Sequence, residues 1–151
     1  MIATISISIE RVLESIYASA AVDALNTPAR GANIVCRDDA PALSRLVRNS
    51  AAAIIFALTP PVTSSNLADL QYDGDIITVD IELPDDAVSR LAGSIRPLVE
   101  SALASQVLGV LWTGKDTRLG AMYMSMTADA MESLRRQLSA GGKPGFITPA
   151  A

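Results

Sequence analysis

The sequence predicts a mainly α-helical protein with a small β component: four helices, the third kinked at Pro97, and two short strands. Three observations lead to this prediction. Apolar residues recur every three to four positions over four long stretches, which is the spacing of helices with one buried face. Two short stretches instead alternate apolar and polar residues, as half-buried strands do. The 151-residue chain has the length of one ordinary domain.

The chain begins with a short alternating segment. In "ATISISI", residues 3–9, the isoleucines fall on one side and the threonine and serines on the other, which predicts a strand. Apolar residues then recur at helical spacing and predict a first helix over residues 10–25. Asn26, Thr27 and Pro28 end this helix, and residues 28–37 are expected to form a loop.

Aspartate and proline mark the start of a second helix. Asp38 or Asp39 can accept hydrogen bonds from first-turn amides, and Pro41 fits there because its missing N–H is not needed. Arg45 and Arg48 are expected on the solvent side, and "TPP" at residues 59–61 ends the helix. The predicted buried stripe consists of Leu43, Leu46, Val47, Ile54, Ile55 and Leu58.

A polar segment precedes the second predicted strand. Residues 62–75 are rich in turn-forming residues and predict a loop. Residues 76–83 alternate again and predict a strand that Pro84 ends, after which Asp85 or Asp86 is expected to cap a third helix. The apolar face of this strand consists of Ile77, Val79, Ile81 and Leu83, opposite Thr78, Asp80 and Glu82.

The last two predicted helices are long. Helical spacing continues to Trp112, and Pro97 inside this pattern predicts a bend near residues 93–96, because proline removes a backbone hydrogen bond. A fourth helix over residues 117–138 carries apolar side chains over an arc of roughly 160–200°, up to about twice the width that docking on one core needs. We therefore expect this helix to be covered from two sides.

Composition limits the organisation and the partners of the chain. Residues 1–138 form the predicted domain, and residues 139–151 lack periodicity and predict a flexible tail. A net charge of −4 disfavours binding of DNA phosphates through many basic side chains. One cysteine, Cys36, excludes an internal disulfide. No stretch is long and apolar enough for a membrane span, and no secretion signal is recognisable, so we expect assembly in a cytoplasm.

No motif for catalysis, cofactor binding or metal binding emerges. The sequence has no histidine, which removes the commonest general base and most zinc sites. Glycine patterns that hold nucleotide phosphates are missing as well. Acidic residues cluster between Asp73 and Asp86, but turn, strand-surface and helix-cap positions account for them, and the calcium-loop pattern is missing. We expect no enzyme and no cofactor; a small hydrolase that uses paired aspartates is the alternative from the enzyme class.

The two strands and the last helix instead favour assembly. An isolated pair of strands is only marginally stable in water, and a neighbouring subunit would supply further strand partners. The wide apolar arc of the fourth helix would bind another copy in the same way. Repeated head-to-tail contacts of this kind close into a ring. The predicted subunit-interface residues are Ile77, Val79, Ile81, Trp112, Met122, Tyr123, Met124 and Met131.

Two long segments carry a family resemblance. The run "DIITVDIELPDDAVSRLAGSIRPLVESALASQVLGVLW" and the following "MYMSMTADAMESLRRQL" resemble small helical proteins from the structural modules of tailed bacteriophages and prophages. The resemblance is one of element order: a strand and helix, a second helix, an alternating strand that ends in proline, and two long helices. It implies a head-tail connector, or neck adaptor, a virion protein that forms a ring between portal and tail through which DNA passes.

The chain departs from that family in two places. Its relatives often carry a tryptophan directly after the strand-ending proline, where this chain has Asp85 and Asp86, and they often end in a basic tail, where this chain has only Lys143. Both departures argue against direct binding of DNA by this chain. An acidic ring remains physically reasonable, because a wall that does not attract phosphates lets a duplex slide. The alternative interpretation is a soluble helical adaptor or regulatory protein-binding module that acts as a dimer.

Overall fold

The structure is a computed structural model that describes residues 1–26, 39–59, 61–66 and 74–140. Within these residues it has four α-helices and one three-stranded antiparallel sheet, which confirms the predicted mainly α-helical class with a small β component. The predicted loop over residues 28–37, with Cys36, and residues 141–151 of the predicted tail lie outside the described residues, whereas residues 139–140 of that tail are helical. In chain order the elements are β1 (Ile2–Ser8), α1 (Ile9–Asn26), α2 (Ala40–Ala57), β2 (Val62–Ser65), β3 (Ile76–Glu82), α3 (Asp85–Thr113) and α4 (Thr117–Ala140).

The sheet joins the two predicted strands within one chain. β3 lies in the centre, with β1 along one edge and β2 along the other, and both pairings are antiparallel. Ile5 lies opposite Val79 and Ile7 lies opposite Ile77. All four are buried, so the apolar residues of both strands share one face. β1 and β3 therefore pair with each other within the chain, and the expectation that a neighbouring subunit supplies further strand partners stays a prediction.

A third strand, β2, replaces part of the predicted loop over residues 62–75. Its sequence "VTSS" contains a single apolar residue, Val62, which is 5% exposed, and one apolar residue cannot display an alternating pattern. The register between β2 and β3 shifts between Val62 and Ser64. This strand forms because the second edge of β3 is available for pairing, a long-range condition that local sequence does not encode.

Ser8 connects β1 directly to α1. Its Oγ accepts a hydrogen bond from the backbone N–H of Arg11 at 3.2 Å, which is an N-cap arrangement. The backbone N–H of Ile9 donates to the carbonyl of Asp75 at 2.9 Å and extends the β1–β3 ladder by one residue. The chain therefore passes from the sheet into the helix without a loop.

The starts of α2 and α3 differ from the predicted aspartate caps. Asp39 is at the N-cap position of α2 and Pro41 lies in the first turn, but the Asp39 side chain makes no capping hydrogen bond. The N-cap of α3 is Pro84, and Asp85 and Asp86 lie inside its first turn. Carboxylates at these positions still favour the helix, because they lie near the positive end of its dipole.

The predicted apolar stripe of α2 faces the core. Leu43, Val47, Ile54 and Leu58 are buried, and the other two predicted members are half-buried and pack against the core. Arg48 was expected in solvent, but it is half-buried, and its Nη2 donates to the carbonyl of Gly74 at 2.9 Å. This bond ties α2 to the segment just before β3.

Helix α3 forms the centre of the core. It runs without interruption from Asp85 to Thr113, so Pro97 does not divide it; the bend near Pro97 stays a prediction. Residues 102–105 and 107–109 are all buried. In a helix these positions lie on every side, so α3 must be covered all round. The cover comes from β1, α1, α2 and α4, which all contact α3.

A short turn at residues 114–116 folds α4 back along α3. The Asp116 Oδ1 caps α4 by accepting the backbone N–H groups of Arg118 at 3.1 Å and Leu119 at 3.2 Å. Gly120 permits a close approach of the two helices, because a Cβ there would lie 3.0 Å from the Thr113 Cα and 2.8 Å from its Oγ1. The α3–α4 pair depends on this missing side chain.

Alanine substitutions at two helical glycines should have opposite effects. Gly93 is exposed with no heavy atom within 4 Å of a Cβ, so Gly93→Ala is expected to raise the free energy of unfolding by up to about 1 kcal/mol through helix propensity. Gly120→Ala is expected to lower it by about 1–2 kcal/mol, because the backbone of Thr113 must move. Urea unfolding measures both; equal effects would contradict the close approach at Gly120.

Candidate functional site: the groove between α1, α3 and α4

Most of the residues predicted to form a subunit interface lie in the core of their own chain. Six of the eight are buried, with at most 7% of each residue exposed. A buried side chain has no surface to offer to another subunit, and these six instead stabilise the fold. They are Ile77, Val79, Ile81, Trp112, Tyr123 and Met131.

The two remaining predicted interface residues, Met122 and Met124, have different surroundings. Met124 is half-buried, and its Sδ lies 3.0 Å from the position that a Cβ on Gly109 would occupy. Gly109 therefore makes room for Met124 between α3 and α4. Met122 is 44% exposed, and among the eight it alone is a surface residue.

A half-open groove of about 280 Å³ lies between three of the helices. Six lining residues come from α3, which forms the floor, and two from α4, Tyr123 and Met126. α1 contributes Arg11, Ser15 and Ser19. Serines spaced four residues apart lie on one face of a helix, and they recur on the α3 side at Ser101 and Ser105. Small side chains on both helices leave the space between them open.

An ion pair closes one end of the groove. Arg11 Nε lies 3.8 Å from Glu100 Oε2, and the Glu100 side chain is only 12% exposed. The same carboxylate oxygen accepts the backbone N–H of Ser8 at 3.3 Å. Glu100 therefore joins the middle of α3 to the junction of β1 and α1, and its charge is held by two donors.

A second polar contact lies at the opposite end. The Tyr123 hydroxyl donates to Asp23 Oδ2 at 2.5 Å and joins α4 to the last turns of α1. Burial, together with this hydrogen bond and the carboxylate charge, raises the pKa of Tyr123 well above its ordinary value of about 10. Tyr123 therefore stays protonated and keeps donating across the neutral and mildly alkaline range.

Beside the groove, α4 presents an exposed apolar surface. Met122 is 44% exposed and Met126 is 46% exposed, and we call these two residues the α4 flank. They are four residues apart, so they lie one above the other on the same side of the helix. Met126 also lines the groove. The α4 flank is thus a continuation of the groove wall.

The groove presents hydroxyl groups, one ion pair and one flexible thioether side chain, that of Met126, and Met122 adds a second beside it. Such surfaces suit contacts with polypeptide, because methionine adapts its shape to a partner and hydroxyls donate or accept hydrogen bonds. In the part of the chain that the structure describes, no group of three or more Cys, Asp or Glu residues is arranged to hold a metal ion. No described helix has the length and apolar character of a membrane span.

Sequence reasoning identified two members of this surface, Met122 and Tyr123, and missed the other polar residues. Met122 was predicted from the wide apolar arc of α4. Asp23, Arg11 and Glu100 were not singled out, because their partners are distant in sequence: Tyr123 is 100 residues from Asp23. The one local signal was the spacing of four between serines in α1 and α3, which indicates a narrow helix face.

Comparisons of the chain with models of protein families, with curated proteins and with solved structures found no match.

Removing the Tyr123 hydroxyl should give a stability loss that depends on pH. The pKa of Tyr123 is higher in the folded chain than in the unfolded chain, where it is about 10. The hydrogen bond to Asp23 therefore stabilises the fold fully below about pH 10, and this stabilisation is lost as the pH rises toward and through the folded-state pKa. Tyr123→Phe is expected to lower the free energy of unfolding by about 1–2 kcal/mol at neutral pH. The difference from wild type should shrink above about pH 10.

Urea unfolding at several pH values measures this difference. The ultraviolet absorbance of tyrosinate, compared between wild type and Tyr123→Phe, follows the ionisation of Tyr123 itself. Ionisation near the ordinary value of about 10, together with a pH-independent difference in stability, would contradict the Tyr123–Asp23 contact.

Proposed function

We propose that this protein is a non-enzymatic structural subunit of a tailed-phage neck, a head-tail connector that forms a ring between portal and tail. In this proposal DNA passes through the ring without specific binding, the partners are further copies of the chain and the portal and tail proteins, and the protein is assembled in the host cytoplasm and resides in the virion.

The order of elements supports this proposal. A strand and helix, a second helix, a strand followed by Pro84, and the long helices α3 and α4 occur in the order that the resemblance to phage connectors implies. β2 is a short addition between the second helix and the second long strand.

The exposed apolar surface of α4 is the observation that carries the proposal. The chain has a core of its own, built on α3, and the α4 flank is not part of it. Its two methionines extend the apolar arc of α4 beyond the face that packs on α3, as the sequence predicted. An apolar helix side that remains exposed when the core is complete favours contact with a second chain.

A ring requires two unlike surfaces on each subunit. Head-to-tail contacts join one patch to a different patch on the next copy. The α4 flank provides one candidate, and Phe56 on α2, which is 83% exposed, provides another on a different helix. A net charge of −4 fits a channel through which a duplex slides.

Deleting the gene from the phage or prophage that encodes it tests the proposal. A connector is expected to be required at the joining step, so the deletion should yield DNA-filled heads and separate tails, visible by electron microscopy, and expression in trans should restore joined particles. Wild-type yields of joined particles without the protein would contradict the proposal. A dimer with no larger state, even beside portal protein, would favour the dimeric adaptor instead.

Charge placed on the α4 flank should prevent ring formation without unfolding the chain. Met126→Lys and Met122→Lys introduce a charge at half-exposed sites, where it stays solvated in the single subunit but would be buried at an interface. Mass photometry is expected to show loss of the ring with an unchanged circular dichroism spectrum.

The matched control is Ala128→Lys, which adds the same charge to α4 at an exposed residue about 120° from Met122 and about 160° from Met126 around the helix. It should leave the ring intact. Rings that tolerate the methionine variants as well as the Ala128 variant would show that the α4 flank is not an interface.

A further inference from the structure

Strand β1 uses every second residue to bond to β3. The backbone N–H of Leu83 donates to the Met1 carbonyl, and that of Ile9 donates to the Asp75 carbonyl, both at 2.9 Å. Both contacts continue the β1–β3 register. In an antiparallel pair, hydrogen-bonded and non-hydrogen-bonded residue pairs alternate. The odd-numbered residues of β1 therefore bond to β3, and the even-numbered residues direct their N–H and C=O groups away from the sheet.

Three residues of β1 keep these outward groups exposed for pairing. They are Ile2, Thr4 and Ser6, and among the described residues no group bonds to their outward N–H or C=O. The next even residue, Ser8, donates its N–H to Glu100. The three residues are spaced by about 6.8 Å, the repeat that one further strand would match.

The opposite edge of the sheet is protected, unlike β1. β2 has only four residues, and its register with β3 is irregular. Beyond β2 the side chain of Asn66 takes the place of a backbone: its Oδ1 accepts the N–H of Thr78 at 3.1 Å, and its Nδ2 donates to the carbonyl of Ile76 at 2.9 Å. Short, irregular strands are poor templates for further pairing.

β1 has none of these protections. Its sequence "IATISIS" contains no charged residue and no proline, and its register with β3 is regular over seven residues. Natural proteins usually protect an edge strand with lysine, proline or a bulge, because its unpaired backbone groups can pair with a strand of another chain. An edge that none of the described residues pairs with suits strand addition.

We propose that the β1 edge binds an extended segment of a different virion protein, which adds a fourth strand beside β1. This inference rests on the proposed function. A neck ring has unlike ends, one toward the portal and one toward the tail, so its symmetry is cyclic. Pairing of β1 with β1 of another copy is twofold and does not fit such a ring, and the β2 edge of a neighbouring copy is short and irregular.

The sheet defines the chemistry of the segment. The residues that flank β1 on the core side are apolar, since Ala3, Ile5 and Ile7 are buried there. On the other side Thr4 and Ser6 are exposed, and the Thr4 hydroxyl donates to Asp80 at 2.7 Å. The partner is therefore an extended segment of at least about five residues, with apolar side chains at alternate positions and polar side chains between them.

Amide hydrogen exchange tests the inference directly. The amides of Ile2, Thr4 and Ser6 are compared between the purified chain and purified particles, which are dissociated after labelling and read by NMR. The expected result is exchange slowed by roughly tenfold or more in the particle, against fast exchange in the purified chain, including any ring that it forms alone.

Each other outcome overturns the inference. Unprotected amides in the particle mean that no strand is added. Protection already present in a ring of this chain alone means that a second copy occupies the edge, and not another protein. Absence of the chain from the particle removes the proposed function, and with it this inference, and is distinguished from the other outcomes by mass spectrometry of the particle.

A pair of substitutions at Ser6 gives a second test. Ser6→Pro removes an outward N–H that β3 does not use, and proline is tolerated on edge strands. Ser6→Val keeps the N–H and is the control. Each variant is added to particles made without this protein, and the concentration for half-maximal tail joining is measured.

Loss of the Ser6 N–H, which would donate to the added strand, is expected to raise that concentration roughly tenfold to hundredfold for Ser6→Pro, with no change for Ser6→Val. Equal concentrations for the two variants would overturn the inference. Circular dichroism establishes that Ser6→Pro is folded; if it is not, the exchange experiment decides alone.

Discussion

The burial of α3 on every side is the constraint on which the rest of the structure depends. Residues 102–105 and 107–109 leave this helix no exposed face over two turns, so a helix this apolar is stable only inside a shell. β1 covers one side and α1, α2 and α4 cover the others. Gly109 and Gly120 let α4 approach closely, and Glu100 anchors α3 to the start of α1.

This arrangement separates the residues that fold the chain from those available to other chains. The apolar faces of β1 and β3 are buried in the core of their own chain, so these side chains offer no surface to a partner. The α4 flank and the outer edge of β1 remain, and they offer different chemistry. One is an apolar surface of flexible methionines, and the other is a row of backbone donors and acceptors. Two unlike surfaces are what a subunit between two different neighbours requires.

Periodic patterns predicted the elements well, and long-range contacts account for the differences. Helical and alternating spacing placed four helices and two strands to within a few residues, because each of these elements buries a repeated face. β2 was missed because its pairing depends on β3, more than ten residues later, and not on its own side chains. Six of the eight predicted interface residues are buried in their own chain, and the sequence could not reveal this because an apolar strand face reads the same whether its own helices or a neighbour covers it. Met122 was found because α4 carries more apolar surface than one core needs.

The pairing of β1 with β3 of the same chain is the central claim, and a disulfide across the pair tests it most directly. Ser6 and Thr78 are opposite each other in a non-hydrogen-bonded pair, where Cα atoms lie about 4.5 Å apart, within the range for a disulfide. A chain carrying Ser6→Cys and Thr78→Cys, with Cys36→Ser, would be oxidised at high dilution and then at high concentration. The account predicts one crosslinked species with the mass of a single chain at both concentrations. Covalent dimers or longer ladders in place of that species would contradict it, because the strands would then pair between chains.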